Sequence, residues 1–103
     1  MTPGNKALSC ALVNIIQDYT WAEAQYNHEV TVMQADLAVH QVPRAESIQN
    51  LTKYATVMKT LDDVIQHILD QMFDDERDVD TEADMYKQLP QVVQEYCKKR
   101  KQG

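Results

Sequence analysis

The chain has 103 residues, 44% of them hydrophobic and 25% charged, with sixteen acids against ten bases for a formal net charge of -6. That fits one small domain of ordinary globular composition. Glycine occurs only as Gly4 and Gly103, and proline as Pro3, Pro43 and Pro90. The glycine-dependent loops of P-loop, dinucleotide-binding, EF-hand and nucleophile-elbow sites are therefore excluded. The architecture that remains favours binding over catalysis.

Asn5 is the expected N-cap of a first helix, and neither proline nor glycine then intervenes before Pro43. Leu8, Leu12, Ile15, Tyr19, Ala22, Tyr26, Val30, Met33 and Leu37 recur by threes and fours. At 100° per residue they fall within about 40° of one line. Thr20-Trp21-Ala22-Glu23 matches a capping box, yet the stripe keeps its phase through Thr20. The pattern predicts one continuous helix from about Lys6 to Gln41. Val42-Pro43 marks a turn, with proline suited to the first position of the next helix.

A second helix is predicted from about Pro43 to Asp75. Ile48, Leu51, Tyr54, Ala55, Val57, Met58, Leu61, Val64, Ile65, Ile68, Leu69, Met72 and Phe73 cover about 200° of its wheel, an arc wide enough for neighbours on two sides. The short turn makes the two helices an antiparallel hairpin. Asp70, Asp74, Asp75, Glu76, Asp78, Asp80, Glu82 and Asp84, with Arg77 as the one base among them, read as an acidic linker centred on about residues 74–81. A third helix is expected over about 82–101, interrupted at Pro90. Leu89, Val92, Val93 and Tyr96 form its apolar face, and Lys98, Lys99, Arg100 and Lys101 form a basic end. The fold class is all-α: a long antiparallel hairpin plus a shorter C-terminal helix, with self-association completing a bundle.

The first helix carries a second apolar line. Trp21, Val32 and Val39 lie about 120–140° from the main stripe, with His28 beside them. Tyr54, Val57 and Val64 lie on the wide face of the second helix. Tryptophan is a frequent interface anchor, and a hairpin of this length is an incomplete core. These six residues are the expected partner-binding set, and the expected occupant is a protein, foremost a second copy in a homodimer.

Other chemistry finds few parts. Asp36 with His40, and Asp63 with His67 and Asp70, place acids and imidazoles one turn apart. They lack the Glu-x-x-His pairing of a dimetal bundle and read as surface ion pairs. The acidic run is no calcium loop, since Ala83 and Leu89 replace the required glycine and closing glutamate. Ser9 and Ser47 are the serines, and neither sits in a catalytic motif. Cys10 lies near a helix N-terminus, where the dipole favours thiolate, but no orienting His or acid is apparent. No catalytic residue, metal or cofactor is expected.

The basic tail offers a few phosphate contacts. The remainder of the chain sets sixteen acids against six bases, a balance that repels nucleic acid. Two cysteines, Cys10 and Cys97, in no metal or scaffold spacing, suit a reducing, cytoplasmic setting. The run from Ala7 to Ile16 is broken by Ser9 and Asn14 and is not a signal peptide, and no segment reaches the roughly 20 apolar residues of a membrane span.

The reading is thus a non-enzymatic helical interaction module: an adaptor, chaperone or assembly subunit. The alternative is an acidic inhibitor or immunity-type blocker presenting Asp70–Asp84 to a basic site.

Overall fold

The computed structural model of the chain describes residues 3–74 and 86–102. Of these residues 91% are helical and none is in a strand, which makes the fold all-α. The elements are α1 (Pro3–Ala38), α2 (Ala45–Asp74) and α3 (Gln91–Gln102). Helix α1 packs against α2 as a hairpin, and α3 contacts α1. The capping box at Thr20 does not break α1, which runs through it without interruption. The chain divides into two compact units, Met1–Gln17 with Asp63–Gly103, and Asp18–Asp62.

The first unit is a three-helix core. Leu12 and Ile16 of α1, Ile65, Leu69 and Met72 of α2, and Leu89, Val93 and Tyr96 in or just before α3 are all buried. Helix α1 begins at Pro3, whose missing N–H costs nothing in a first turn. Asn5 is therefore inside the helix and not its N-cap. Its buried side chain donates a long hydrogen bond (3.4 Å) from Nδ2 to the Met72 carbonyl near the end of α2.

Of the predicted third helix, residues 82–85 lie outside the described residues. Residues 86–88 are helical, and the helix stops before Pro90, as the missing N–H requires. The Pro90 carbonyl then accepts the Val93 and Gln94 N–H groups (3.0 and 3.1 Å) and starts α3. The Gln94 side chain bridges the break by donating to the Leu89 carbonyl (2.8 Å) and the Lys87 carbonyl (3.3 Å).

The second unit is a two-helix hairpin. Ala22 is its one fully enclosed apolar residue, while Tyr26, Val30, Met33, Leu51, Met58 and Leu61 along the seam are half-buried. Asn50 of α2 donates to the Glu29 carboxylate of α1 (3.2 Å) across that seam. Thr31, Thr52 and Thr56 bond back to carbonyls one turn earlier in their own helices, which satisfies their hydroxyls without a tertiary partner.

The turn is shorter in helix than the sequence suggests. Helix α1 ends at Ala38 and not near Gln41, because the His40 N–H bonds to the Leu37 carbonyl (3.0 Å) and the Gln41 N–H to the Asp36 carbonyl (2.9 Å). This pair is a Schellman termination, which sets the residue after the cap in the left-handed region. Here that residue is His40, with φ of 60°. Helix α2 begins at Ala45 and not at Pro43. The Arg44 carbonyl accepts the Ser47 and Ile48 N–H groups (3.1 and 3.3 Å), so Arg44 is the cap and Pro43 lies one residue outside.

Ile65→Ala should lower the free energy of unfolding by about 2–5 kcal/mol, and Val30→Ala in the open seam by clearly less. Urea denaturation of both variants checks this, and equal losses would contradict the difference in enclosure. His40→Gly relieves a left-handed β-carbon and should raise stability by about 0.5–1 kcal/mol, read as a higher urea midpoint at unchanged slope.

Candidate interaction surface

Trp21 leaves α1 on the side away from the main stripe, and the indole is 58% exposed. Its ring meets that of Tyr54 on α2 edge-to-face, with centroids 5.8 Å apart and planes at 82°. Such a pair is worth about 0.5–1.5 kcal/mol beyond its buried area. The contact places one flank of α1 and one flank of α2 on a common side of the hairpin. The Lys53 ammonium stands 5.5 Å from the centroid of the Tyr54 ring, a cation–π distance.

Helical spacing extends this side in both directions. Val32 follows Trp21 by three turns, and Val39, just past the end of α1, by five. Val32 is half-buried and Val39 is 62% exposed. On α2, Val57 is one turn beyond Tyr54, and both are half-buried. Val64 belongs to the three-helix unit, where it is exposed on α2. The structure thus joins Trp21 to Tyr54 by direct contact, while Val32, Val39 and Val57 are related to them by helical spacing alone.

Four further exposed aliphatic residues depart from the sequence expectation, among them Val92, which was expected on the apolar face of the third helix and is exposed on α3. Leu37 and Ile48 belong by period to the core stripes, yet both are exposed, and Val42 in the turn is 88% exposed. Period reports the side of a helix, not its level. At the last turn of a two-helix pair there is no opposing wall to cover the inward side.

The polar centre of this end is Asp36, which is buried. Its expected one-turn partner was His40, and the structure corrects this: the partner is Arg44, from the far side of the turn. Arg44 Nε donates to Oδ2 (3.1 Å) and Nη2 to Oδ1 (2.9 Å), while the Arg44 backbone N–H also reaches Oδ2 (3.4 Å). Hydrogen bonds from Arg44 hold the Asp36 carboxyl below the usual carboxylate range, and the guanidinium is raised in turn by the same contact. The Arg44 side chain is itself 63% exposed, so solvent screens much of the attraction.

The other expected sites stay dispersed. Asp74 is exposed at the end of α2, and Asp75, Glu76, Asp78, Asp80, Glu82 and Asp84 lie outside the described residues. Lys98, Lys99 and Arg100 are exposed on the last turns of α3, and the Lys101 side chain lies outside the described residues. His67, Asp70, Gln71 and Asp74 line a shallow open depression on α2. Among the described residues no group of three or more His, Cys, Asp or Glu side chains is placed to hold a metal ion. Among them, too, no helix is long and apolar enough to cross a membrane. No protein-family description matches the chain, and no curated protein or solved structure matches it.

The clasp predicts a pH dependence. A carboxyl whose folded pKa is depressed gives stability that is fully present above its unfolded value, about 3.9, and lost as pH falls through the lower folded value. The stability difference between wild type and Asp36→Asn should therefore be constant above about pH 5 and shrink below pH 4. Urea midpoints of both proteins between about pH 2 and pH 6 read it, and a difference flat across that range would remove Asp36 from the account.

Proposed function

We propose that the chain is a helical protein–protein interaction module whose working surface is the Trp21–Tyr54 side of the hairpin. One observation carries this reading: a mostly exposed indole is fixed against Tyr54 in a unit whose seam encloses a single apolar residue, Ala22. Tryptophan at a rigid, apolar-flanked position is the residue type that dominates binding energy at interfaces. Val32, Val39 and Val57 extend the surface along helix flanks, the geometry in which one helix face takes another. An adaptor, chaperone or assembly subunit works through such a face, and association with a partner or a second copy is its output.

The proposed role is binding without catalysis. It is supported by the placement of the two serines, Ser9 and Ser47, which are buried within helices and out of reach of a substrate.

Photo-crosslinking residues placed singly at Val32 and Val57, and at the exposed Thr52 and Lys59 away from this side, provide the test. Adducts are expected from the first pair and not from the second. Their yield should hardly change between about 50 and 500 mM salt, since apolar contacts are not screened as charge pairs are. Equal yields from both pairs, or none from Val32 and Val57, would overturn the assignment.

A further inference from the structure

We propose that the occupant of the Trp21–Tyr54 side is a second copy of this chain, seated about a two-fold axis so that Asp18 of each protomer meets Lys53 of the other. This rests on the reading of that side as a protein-binding surface, and names its partner.

The seam of the hairpin is unfinished. Between Asp18 and Asp62 two helices share one line of contact, and their apolar residues other than Ala22 keep some exposure to water. Isolated helical pairs of this length bury too little to be self-sufficient, and oligomerisation is the common remedy. Pairing two such hairpins gives the four-helix arrangement in which each seam gains the missing wall. A standard interface takes about 800 Å² from each partner. Trp21 alone does not supply that, but the flanks carrying Val32, Val39 and Val57 extend the area on both helices.

The charge on this side identifies the partner. The chain as a whole is strongly acidic, at -6, so two copies repel unless the contact itself matches acid to base. Asp18 lies one turn before Trp21 on α1, and both are exposed. Lys53 is exposed on α2 with its ammonium over Tyr54, which Trp21 touches. An acid and a base therefore bracket the aromatic pair from opposite helices. His28, two turns beyond Trp21, adds no second acid, and Glu29 already accepts from Asn50.

A two-fold interface uses the same patch on both molecules, so that patch must carry both members of every pair it makes. A balanced Asp18/Lys53 bracket meets that condition. Glu46, two turns before Lys53 on the same flank of α2, is exposed and interacts with the Arg44 guanidinium, so the charges along this side are of both signs and do not form a face of one sign.

The test is absolute mass by light scattering over a dilution series from about 1 to 500 µM, with helical circular dichroism confirming the fold of each variant. The wild type should be a dimer at the upper end, and Trp21→Ala a monomer throughout. Asp18→Lys and Lys53→Asp should each weaken the dimer at least about tenfold, as like charges then face each other. The double variant Asp18→Lys/Lys53→Asp should recover most of the loss, which a merely structural effect of either change would not do.

A wild type that stays monomeric throughout, or a double variant no tighter than the weaker single one, overturns the proposal. If the wild type is monomeric while Val32 and Val57 crosslink to a chain of different mass, the second copy falls and the binding surface stands. If those positions crosslink to nothing and the mass is monomeric, both fall.

Discussion

Two antiparallel helices touch along a single line, and side chains on that line stay partly wet unless a third wall closes over them. This geometric limit accounts for the main contrast in the molecule. Where α3 joins α1 and α2, Leu12, Ile65, Met72 and Val93 are sealed, and close packing makes each missing methylene felt. Between residues 18 and 62 the described residues provide only the pair, and seam residues of equally apolar type, such as Val30 and Met58, remain half-buried. Similar apolar periodicity thus produces a finished core in one unit and an open one in the other. The number of walls decides, not the hydrophobicity of the stripe.

The open hairpin must fix its turn by means other than packing. A glycine would normally take the left-handed residue of a Schellman ending, and the sequence has none between Gly4 and Gly103. His40 takes the position at some backbone cost. The Asp36 carboxylate offsets that cost by gripping both the guanidinium and the backbone N–H of Arg44, so the cap of α2 is tied to the end of α1. Asp36 is thereby removed from solvent as a buried but paired charge. Leu37, Val39, Val42 and Ile48 then surround the turn with exposed aliphatic surface.

The hairpin was legible in the sequence because its evidence is periodic. Nine apolar residues in one phase from Leu8 to Leu37 outweigh a local capping box at Thr20, and the helix does run through it. The side occupied by Trp21 was legible for the same reason. Period could not supply what depends on level or on distant partners. It assigned Leu37 and Ile48 to the core although the helices end beside them, and it paired Asp36 with His40 although Arg44 reaches back across the turn. Asn5 looked like a cap because capping is a local rule, while its observed hydrogen bond is to Met72, sixty-seven residues away. Helix ends shifted by two or three residues for a related reason: Pro3, Arg44 and Pro90 act through which backbone groups they leave unpaired, and that is settled only when the neighbouring chain is in place.

In the proposed interaction the Trp21–Tyr54 contact acts as preparation. An exposed indole free to change rotamer would lose that freedom on binding, at about 0.5–1.5 kcal/mol for an immobilised side chain. The edge-to-face contact with Tyr54 restrains it beforehand, and the cation over the Tyr54 ring restrains the second aromatic in the same way. Both rings also sit on helices, whose backbones do not have to be ordered at the moment of contact. A side chain included merely to stabilise the monomer would gain more by turning into the seam, where Tyr26 and Leu51 already lie half-covered. Trp21 instead keeps more than half its surface in water while touching Tyr54, and in the proposed interaction that surface is what another apolar face would cover.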